Sequence, residues 1–255
     1  MPGGEVALRR FWIEREELGE NEFTIGGDLF HHLVSVCRVK EGQQFELLPG
    51  DGQAYLVEAQ QIGKKDLRVL RASQRDLPQL PRPHIHLLVS LPRLPKFDFI
   101  LEKSVELGVK TVTPFLSDFS FLRKLSEISP NRRERWMNVI KGATRQCGRG
   151  DLMEMGEVLA LKDLLKDFNQ KEGRLGLFPF EGTGSRTFKE ALGSAKVQGL
   201  QEVCAFIGSE GGFSEGEVER FQQVGLEPLT LGDQVLRVET ACVAVASILK
   251  YEFSL

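Results

Sequence analysis

IGSEGGF (residues 207–213) and LGDQVLRVETACVAVASIL (residues 231–249) are the two stretches on which the fold of this chain turns. Each follows a short apolar run of strand type, turns on glycine and then enters a helix. VCAFI (203–207) leads into Gly208, Gly211 and Gly212, and LTL (229–231) leads into Gly232 and Asp233. Ser214 and Glu217 stand in S-x-x-E spacing, so each side chain can satisfy an orphan amide at a helix start. Thr240 is expected to open the second helix. Such turns expose backbone amides at the C-terminal edge of a sheet, where open α/β folds take their ligands. One turn alone reads as ordinary scaffold; two glycine-marked turns so close together favour a ligand site.

Upstream of these turns the same rhythm holds back to His84. HIHLLVS (84–90), VKTVTPF (109–115) and RLGLF (174–178) read as strands. Helices are expected at about 96–107, 131–146 and 161–168, the first with Phe97, Ile100, Leu101 and Val105 on one face and Gly108 at its end. Strands alternating with helices predict a mostly parallel sheet covered on both faces. Residues 1–76 read differently. RRFWIE, NEFTI, QFELL, AYLVEA and LRVLRA are five short strands, with a turn at Pro49-Gly50-Asp51-Gly52. One helix interrupts them, capped by Asp28 and carrying Leu29, Leu33 and Val36 at helical spacing. The pattern predicts a compact barrel. Three prolines within residues 76–83 make 77–83 a stiff linker, which leaves 84–255 as the second domain.

Composition narrows the class. The chain has 255 residues, 41% hydrophobic and 27% charged, with a net charge of −3; this is ordinary for a soluble globular protein and excludes a uniformly basic coat. No apolar run reaches the ~18 residues of a membrane span. The start, MPGGEVALRR, lacks the apolar core of a signal peptide, which predicts a cytoplasmic protein. Cys37, Cys147, Cys204 and Cys242 are scattered, so free buried thiols are expected rather than a zinc site or disulfides. The four histidines have no ligand spacing, so no metal is expected; His84 and His86 share one face of a strand as structural residues. Gly182-Thr183-Gly184 lacks the third glycine of a dinucleotide fingerprint, and no phosphate-loop, nucleophile-elbow or H-E-x-x-H motif occurs.

Charge is unevenly placed. Residues 121–150 hold eight basic side chains (Arg123, Lys124, Arg132, Arg133, Arg135, Lys141, Arg145, Arg149) against Glu127 and Glu134. For Arg132–Arg135 alone a solvated helix face is the better reading. The wider excess suits a phosphate backbone, with Arg145, Gln146 and Arg149 beside Gly148 and Gly150 its most site-like part.

These motifs together carry a resemblance. IGSEGGFS followed by LGDQVLRVETA resembles the paired signature of SPOUT-class RNA methyltransferases, and specifically of the RsmE family, the 16S rRNA uridine-N3 methyltransferases. HHLVSVCRVKEG (31–42), EKSVELGVKTVTPF (102–115) and ATRQCGRG (143–150) resemble further segments of that family. The chain departs from the family pattern in having Ser209 where a proline is usual, and Arg145 where a glutamate is usual. The resemblance implies a PUA-like N-terminal β-barrel that holds RNA and a C-terminal SPOUT-type α/β domain with a deep trefoil knot at about 177–249. It implies a homodimer that binds S-adenosylmethionine mainly through the backbone of three loops. The cofactor residues it marks are Leu177, Phe178, Pro179, Ile207, Gly208, Glu210, Gly211, Gly212, Leu231, Gly232, Val235, Leu236 and Thr240. The implied partner is 16S rRNA or the assembled small ribosomal subunit.

Methylating uracil N3 requires loss of an imide proton and alignment of the nitrogen with the donor methyl. Glu210 and Arg237, in the loops that would flank the methyl group, are the catalytic candidates. Their scaffold alternatives are a loop or helix-end hydrogen bond for Glu210 and an ion pair with Glu239 or Asp233 for Arg237. Arg38, Arg145, Gln146 and Arg149 are the candidate RNA contacts. The competing readings are a non-catalytic RNA-binding dimer and a SPOUT methyltransferase acting on another RNA.

Overall fold

The structure, a computed structural model, describes residues 8–168, 173–182, 186–194 and 199–255, so Thr183 and Gly184 lie outside it. The chain divides into two units: residues 1–79 with 144–152, and residues 80–143 with 153–255.

The first unit holds strands β1 (Arg10–Trp12), β2 (Glu22–Ile25), β3 (Gln44–Leu48), β4 (Gln53–Ile62) and β5 (Leu67–Asp76) in one sheet of order β1-β3-β4-β5-β2. All five expected strands are present. Irregularities in the β4–β5 pairing at Leu56/Val57 and Ala59/Gln61 bend these long strands. The sheet thereby curls around one core, to which every strand contributes: Phe11, Ile25, Phe45, Leu47, Val57, Leu67 and Val69 are all buried together. Buried Glu46 accepts from Arg10 (3.0 Å) and Arg75 (2.7 and 2.8 Å), which satisfies the one carboxylate on β3. The predicted turn at 49–52 is made with Gly50 and Gly52 both at positive φ.

The helix of this unit differs from expectation. α1 (Gly27–His31) is capped at Gly26, and Asp28 lies in its first turn instead of capping it. It continues as a π-turn over His32–Val36, closed by Cys37 N to His32 O at 2.9 Å. The wider turn keeps Leu33 in the core but carries Val36 out to 61% exposure, off the face that 3.6-residue spacing assigns it.

The second unit contains β6 (His84–Ser90), α2 (Leu94–Glu106), β7 (Thr111–Leu116), α3 (Pro130–Cys147, whose last turn belongs to the first unit), β8 (Glu154–Met155), β9 (Leu159–Ala160) and α4 (Leu161–Asp167). It continues through β10 (Arg174–Pro179), β11 (Arg186–Thr187), α5 (Phe188–Ser194), β12 (Glu202–Ile207), α6 (Glu215–Gln223), β13 (Pro228–Thr230) and α7 (Val238–Glu252). Every strand pair is parallel, in the order β11-β13-β10-β12-β6-β7-β8, with β9 also on β7. The parallel sheet is therefore as expected. α7 begins two residues before Thr240, because extended Arg237 (φ −63°, ψ 151°) takes the N-cap position. Phe178, Phe206, Phe213 and Phe221 pack as one aromatic cluster, with Phe178 stacked on Phe221 at 4.4 Å and 12°. Buried phenylalanines contribute ~1.5–3 kcal/mol each, so this cluster is the anvil beneath the glycine loop at 207–213. No described helix is long and apolar enough to cross a membrane.

Candidate active site

β13, β10 and β12 are neighbours in the sheet although the chain visits them in the order β10, β12, β13. Because they run parallel, their C-terminal ends Thr230, Pro179 and Ile207 open on the same edge. The loops that follow form one solvent-open cleft with about 670 Å³ of empty space. Pro179, Ile207, Gly208, Gly212, Leu231, Gly232, Val235 and Leu236 line it, so eight of the sequence-marked cofactor residues come together there. The others do not reach the lining. Leu177 and Phe178 are buried in the strand. Gly211 packs toward Phe119, and Glu210 and Thr240 are exposed beside the cleft. The lining also includes Phe180, Glu181, Ser209, Phe213, Thr230, Asp233, Gln234, Val238 and Ala241. Only their nearness to the glycine turns could have singled these out.

The glycine loop is built tightly. Gly212 N donates to Ser209 O at 3.0 Å, and Gly212 takes φ 68°. A Cβ on Gly208 would lie 3.0 Å from Gly212 backbone atoms, tighter than nearly all side-chain contacts, so a larger residue would force the turn to give by a few tenths of an ångström. Ser214 and Glu217 form the predicted capping box at 3.3 and 3.0 Å. Buried Glu217 also accepts from Asp118 N at 2.9 Å, and Ser209 Oγ donates to Phe119 O at 2.7 Å. Burial pushes the Glu217 carboxyl above its ordinary range, against the two backbone amides that hold it ionised.

Glu210 faces away from the cleft toward α2. Its carboxylate accepts from Arg93 N at 3.3 Å and pairs with Lys96 Nζ at 3.2 Å, and the same ammonium lies 3.6 Å from Glu239. Burial alone would raise the Glu210 pKa, but its own amide, Lys96 and the Arg93 amide outweigh it and hold the group below the ordinary carboxylate range. The helix-end hydrogen bond is thus present. Arg237 is exposed and has no ion-pair partner among the described residues, so the pairs with Asp233 or Glu239 are not formed. Charge at the cleft comes from Glu181 and Asp233; Glu181 Oε1 lies 3.2 Å from the position a Cβ on Gly212 would take.

The RNA methyltransferase domain profile matches residues 78–250, and the RNA methyltransferase PUA domain profile matches residues 25–70. Ribosomal RNA small subunit methyltransferase E of Helicobacter pylori (strain ATCC 700392 / 26695) is 30% identical to the chain, over 88% of it and 92% of the relative. The Bacillus subtilis (strain 168) protein of the same name is 28% identical, over 97% and 98%. The chain belongs to the ribosomal RNA small subunit methyltransferase E family. Its fold superposes on that of a Legionella pneumophila methyltransferase in complex with bound SAM, with a TM-score of 0.86 and 28% identity, covering 96% and 98% of the two chains.

In this family member the sequence-marked RNA residues divide by environment. Arg38 is exposed at φ 55° and lines a shallow groove with Arg9, Val36, Cys37 and Gln43. His32 Nε2 lies 3.6 Å from Cys37 Sγ, and burial followed by the nearby Arg145 charge lowers its pKa. Arg38, half-buried Arg145 and exposed Gln146 belong to the same unit. Arg149 is buried and clamps Asp151 at 2.7 and 3.1 Å. On α3, Arg133 pairs with Glu157 and Arg135 with Asp98, both at 2.6 Å, as the solvated-face reading of that stretch expects. Cys204 and Cys242 are buried and free as expected, whereas Cys147 is exposed and Cys37 half-buried.

Proposed function

We propose that the chain transfers a methyl group from S-adenosylmethionine to N3 of a uridine in 16S rRNA of the small ribosomal subunit, acting as a homodimer. The observation that carries this reading is the convergence of three loops from the C-terminal ends of β13, β10 and β12 on one cleft. Its residues suit the cofactor. Ile207, Phe213, Val235, Leu236 and Ala241 offer apolar surface for an adenine, backbone groups of the glycine turns are at hand, and Glu181 and Asp233 favour a cationic ligand over an anion. The strand order supports a trefoil knot at about 177–249, because β13 returns to pair between β10 and β11 after the chain has passed through β12. Residues 1–76 then serve as the RNA-holding PUA-like domain, 77–83 as linker and 84–255 as the catalytic domain.

When bound, the cofactor supplies an electrophilic methyl group. The protein's part is to bring N3 to it and favour the deprotonated imide. Arg237, with no ion-pair partner among the described residues, would stabilise negative charge developing on the uracil oxygens. Glu210, held ionised by Lys96 and turned toward α2, serves by orienting Lys96 and the start of α2 beside the glycine loop. N3 lies on the Watson–Crick edge, so the target base must be unpaired. Arg38, Arg145 and Gln146 hold the RNA backbone, and Arg149 shapes the turn beneath them.

Labelled S-adenosylmethionine, the purified chain and small subunits lacking the modification test this directly. Label transferred to 16S rRNA in wild-type reactions is the expected outcome. Calorimetry showing no heat with the cofactor would leave a non-catalytic RNA-binding protein instead, and label on tRNA or large-subunit rRNA would redirect the substrate.

A further inference from the structure

The loop after β7 carries two features that the cofactor cleft does not use. Phe119 and Phe121 are 45% and 51% exposed, while Ser120 and Leu122 between and after them are buried. The alternation sets both rings on the outer side of the loop. Large exposed aromatics on a mobile loop would carry little meaning, but this loop is fastened at several points. Ser209 Oγ donates to Phe119 O at 2.7 Å, Asp118 N donates to Glu217 at 2.9 Å, Ser214 Oγ donates to Asp118 at 2.5 Å, and Phe121 N donates to Leu91 O at 2.9 Å. A Cβ on Gly211 would meet Phe119 Cβ at 2.9 Å, so Phe119 lies directly against the glycine loop of the cleft. Phe119 is thus held against the glycine loop, and both rings are about half exposed.

We propose that Phe119, assisted by Phe121, is the stacking surface for a nucleobase of the RNA strand at the methylation site. The inference rests on the RNA methyltransferase reading above. Every base has a π-face, and unpaired bases recognised by proteins are stacked on aromatic side chains set in a cationic surround. That surround is present: Arg123 and Lys124 follow at once, exposed and without ion-pair partners among the described residues. The nearby carboxylates are hydrogen-bonded within the protein: Asp118 to Ser214, Glu127 to the Arg123 and Lys124 amides at 3.3 and 2.9 Å, and Glu210 to Lys96. Leu125, 50% exposed, adds apolar area, but Arg123 and Lys124 stand between it and Phe121; an apolar protein partner would leave those cations unpaired, whereas a nucleic-acid strand uses rings and cations together. Ser209 acquires a role here that a proline could not fill, since its hydroxyl ties the platform to the cofactor loop.

The test uses the full chain with small subunits lacking the modification. Phe119→Leu keeps the apolar contact with Gly211 and removes the π-face; Phe119→Tyr keeps both. The KM for subunits should rise about fivefold to a hundredfold in Phe119→Leu, the range expected for loss of one base stack. Cofactor affinity should stay within about twofold by calorimetry, and Phe119→Tyr should restore the wild-type KM. Photo-crosslinking of 5-bromouridine-substituted rRNA should map to Phe119 or Phe121. An unchanged KM with active wild type overturns the platform alone. Cofactor affinity falling in parallel makes Phe119 loop scaffold and overturns it equally, and a shift from dimer to monomer in sedimentation makes the surface a protein interface. A wild type that neither binds nor methylates the subunits overturns the parent reading and this inference with it.

Discussion

Gly208→Ala is the sharpest perturbation of the cleft. The added methyl would sit 3.0 Å from Gly212 C and Cα and 3.1 Å from Gly212 O. All three atoms are backbone, so no side chain can swing aside. Such contacts are tighter than nine in ten real ones, so residues 208 and 212 must separate by a few tenths of an ångström. That opens the turn held by the Gly212 N to Ser209 O bond and shifts two residues of the cofactor lining. Overpacking of this kind costs ~1–3 kcal/mol. If the loop pays it only when it must adopt the binding shape, cofactor affinity falls about 5- to 150-fold. Calorimetric titration with S-adenosylmethionine measures this, and a thermal melt separates lost affinity from lost fold. Gly216→Ala in α6 is the matched control: nothing lies within 4 Å of its added methyl, so it should leave affinity intact and raise stability by about 0.5–1 kcal/mol. Wild-type affinity in Gly208→Ala would show that the turn is not part of the cofactor site.

Three further outcomes follow from burial and charge. Phe178→Ala removes a fully buried ring stacked at 4.4 Å on Phe221 and should cost ~3–5 kcal/mol in chemical denaturation; a loss under 1 kcal/mol would mean that the aromatic cluster does not support the glycine loop. Burial alone would raise the pKa of Glu46, but Arg75 and Arg10 outweigh it and hold the group below the ordinary carboxylate range. The stability it contributes is therefore complete above the unfolded-state pKa and is lost as pH falls through the folded one. Glu46→Gln should flatten that acid limb and lower the melting temperature at pH 7, and an unchanged acid limb would refute the assignment. Iodoacetamide at mild alkaline pH should label exposed Cys147 first, while burial pushes Cys204 up to about 11 and Cys242 higher still, protecting both until the fold opens. Prompt labelling of Cys204 in native protein would contradict its placement in the sheet.

Local chemistry was legible in the sequence. The capping box at Ser214 and Glu217, the turn at 49–52 and the glycine turns at 207–213 and 231–236 each depend on residues within one short window. Non-local geometry was not. That β13 and β12 flank β10 follows from how the chain returns through the sheet, and this is what gathers three separate loops into one cleft. The direction of Glu210 is set by Lys96, far upstream in α2, so its loop position alone pointed to the methyl site and not to α2. Arg149 is buried and paired with Asp151, a local partner that the charge balance over 121–150 does not reveal. Val36 satisfied helical spacing, and only the π-turn starting at His32 moved it to the surface. β8, β9 and β11 have two residues each, too few to show any period.

Methylation at N3 removes a Watson–Crick hydrogen-bonding site, so it blocks reverse transcription where a ribose or C5 methyl would not. The most direct measurement is therefore primer extension on 16S rRNA from undermodified small subunits treated with the chain and S-adenosylmethionine, joined to mass analysis of the released nucleosides. The account predicts one new stop, opposite a uridine, together with 3-methyluridine in the digest, both absent when the cofactor is withheld. A methylated product with no stop, or a methyl group on any other base or on ribose, would contradict it.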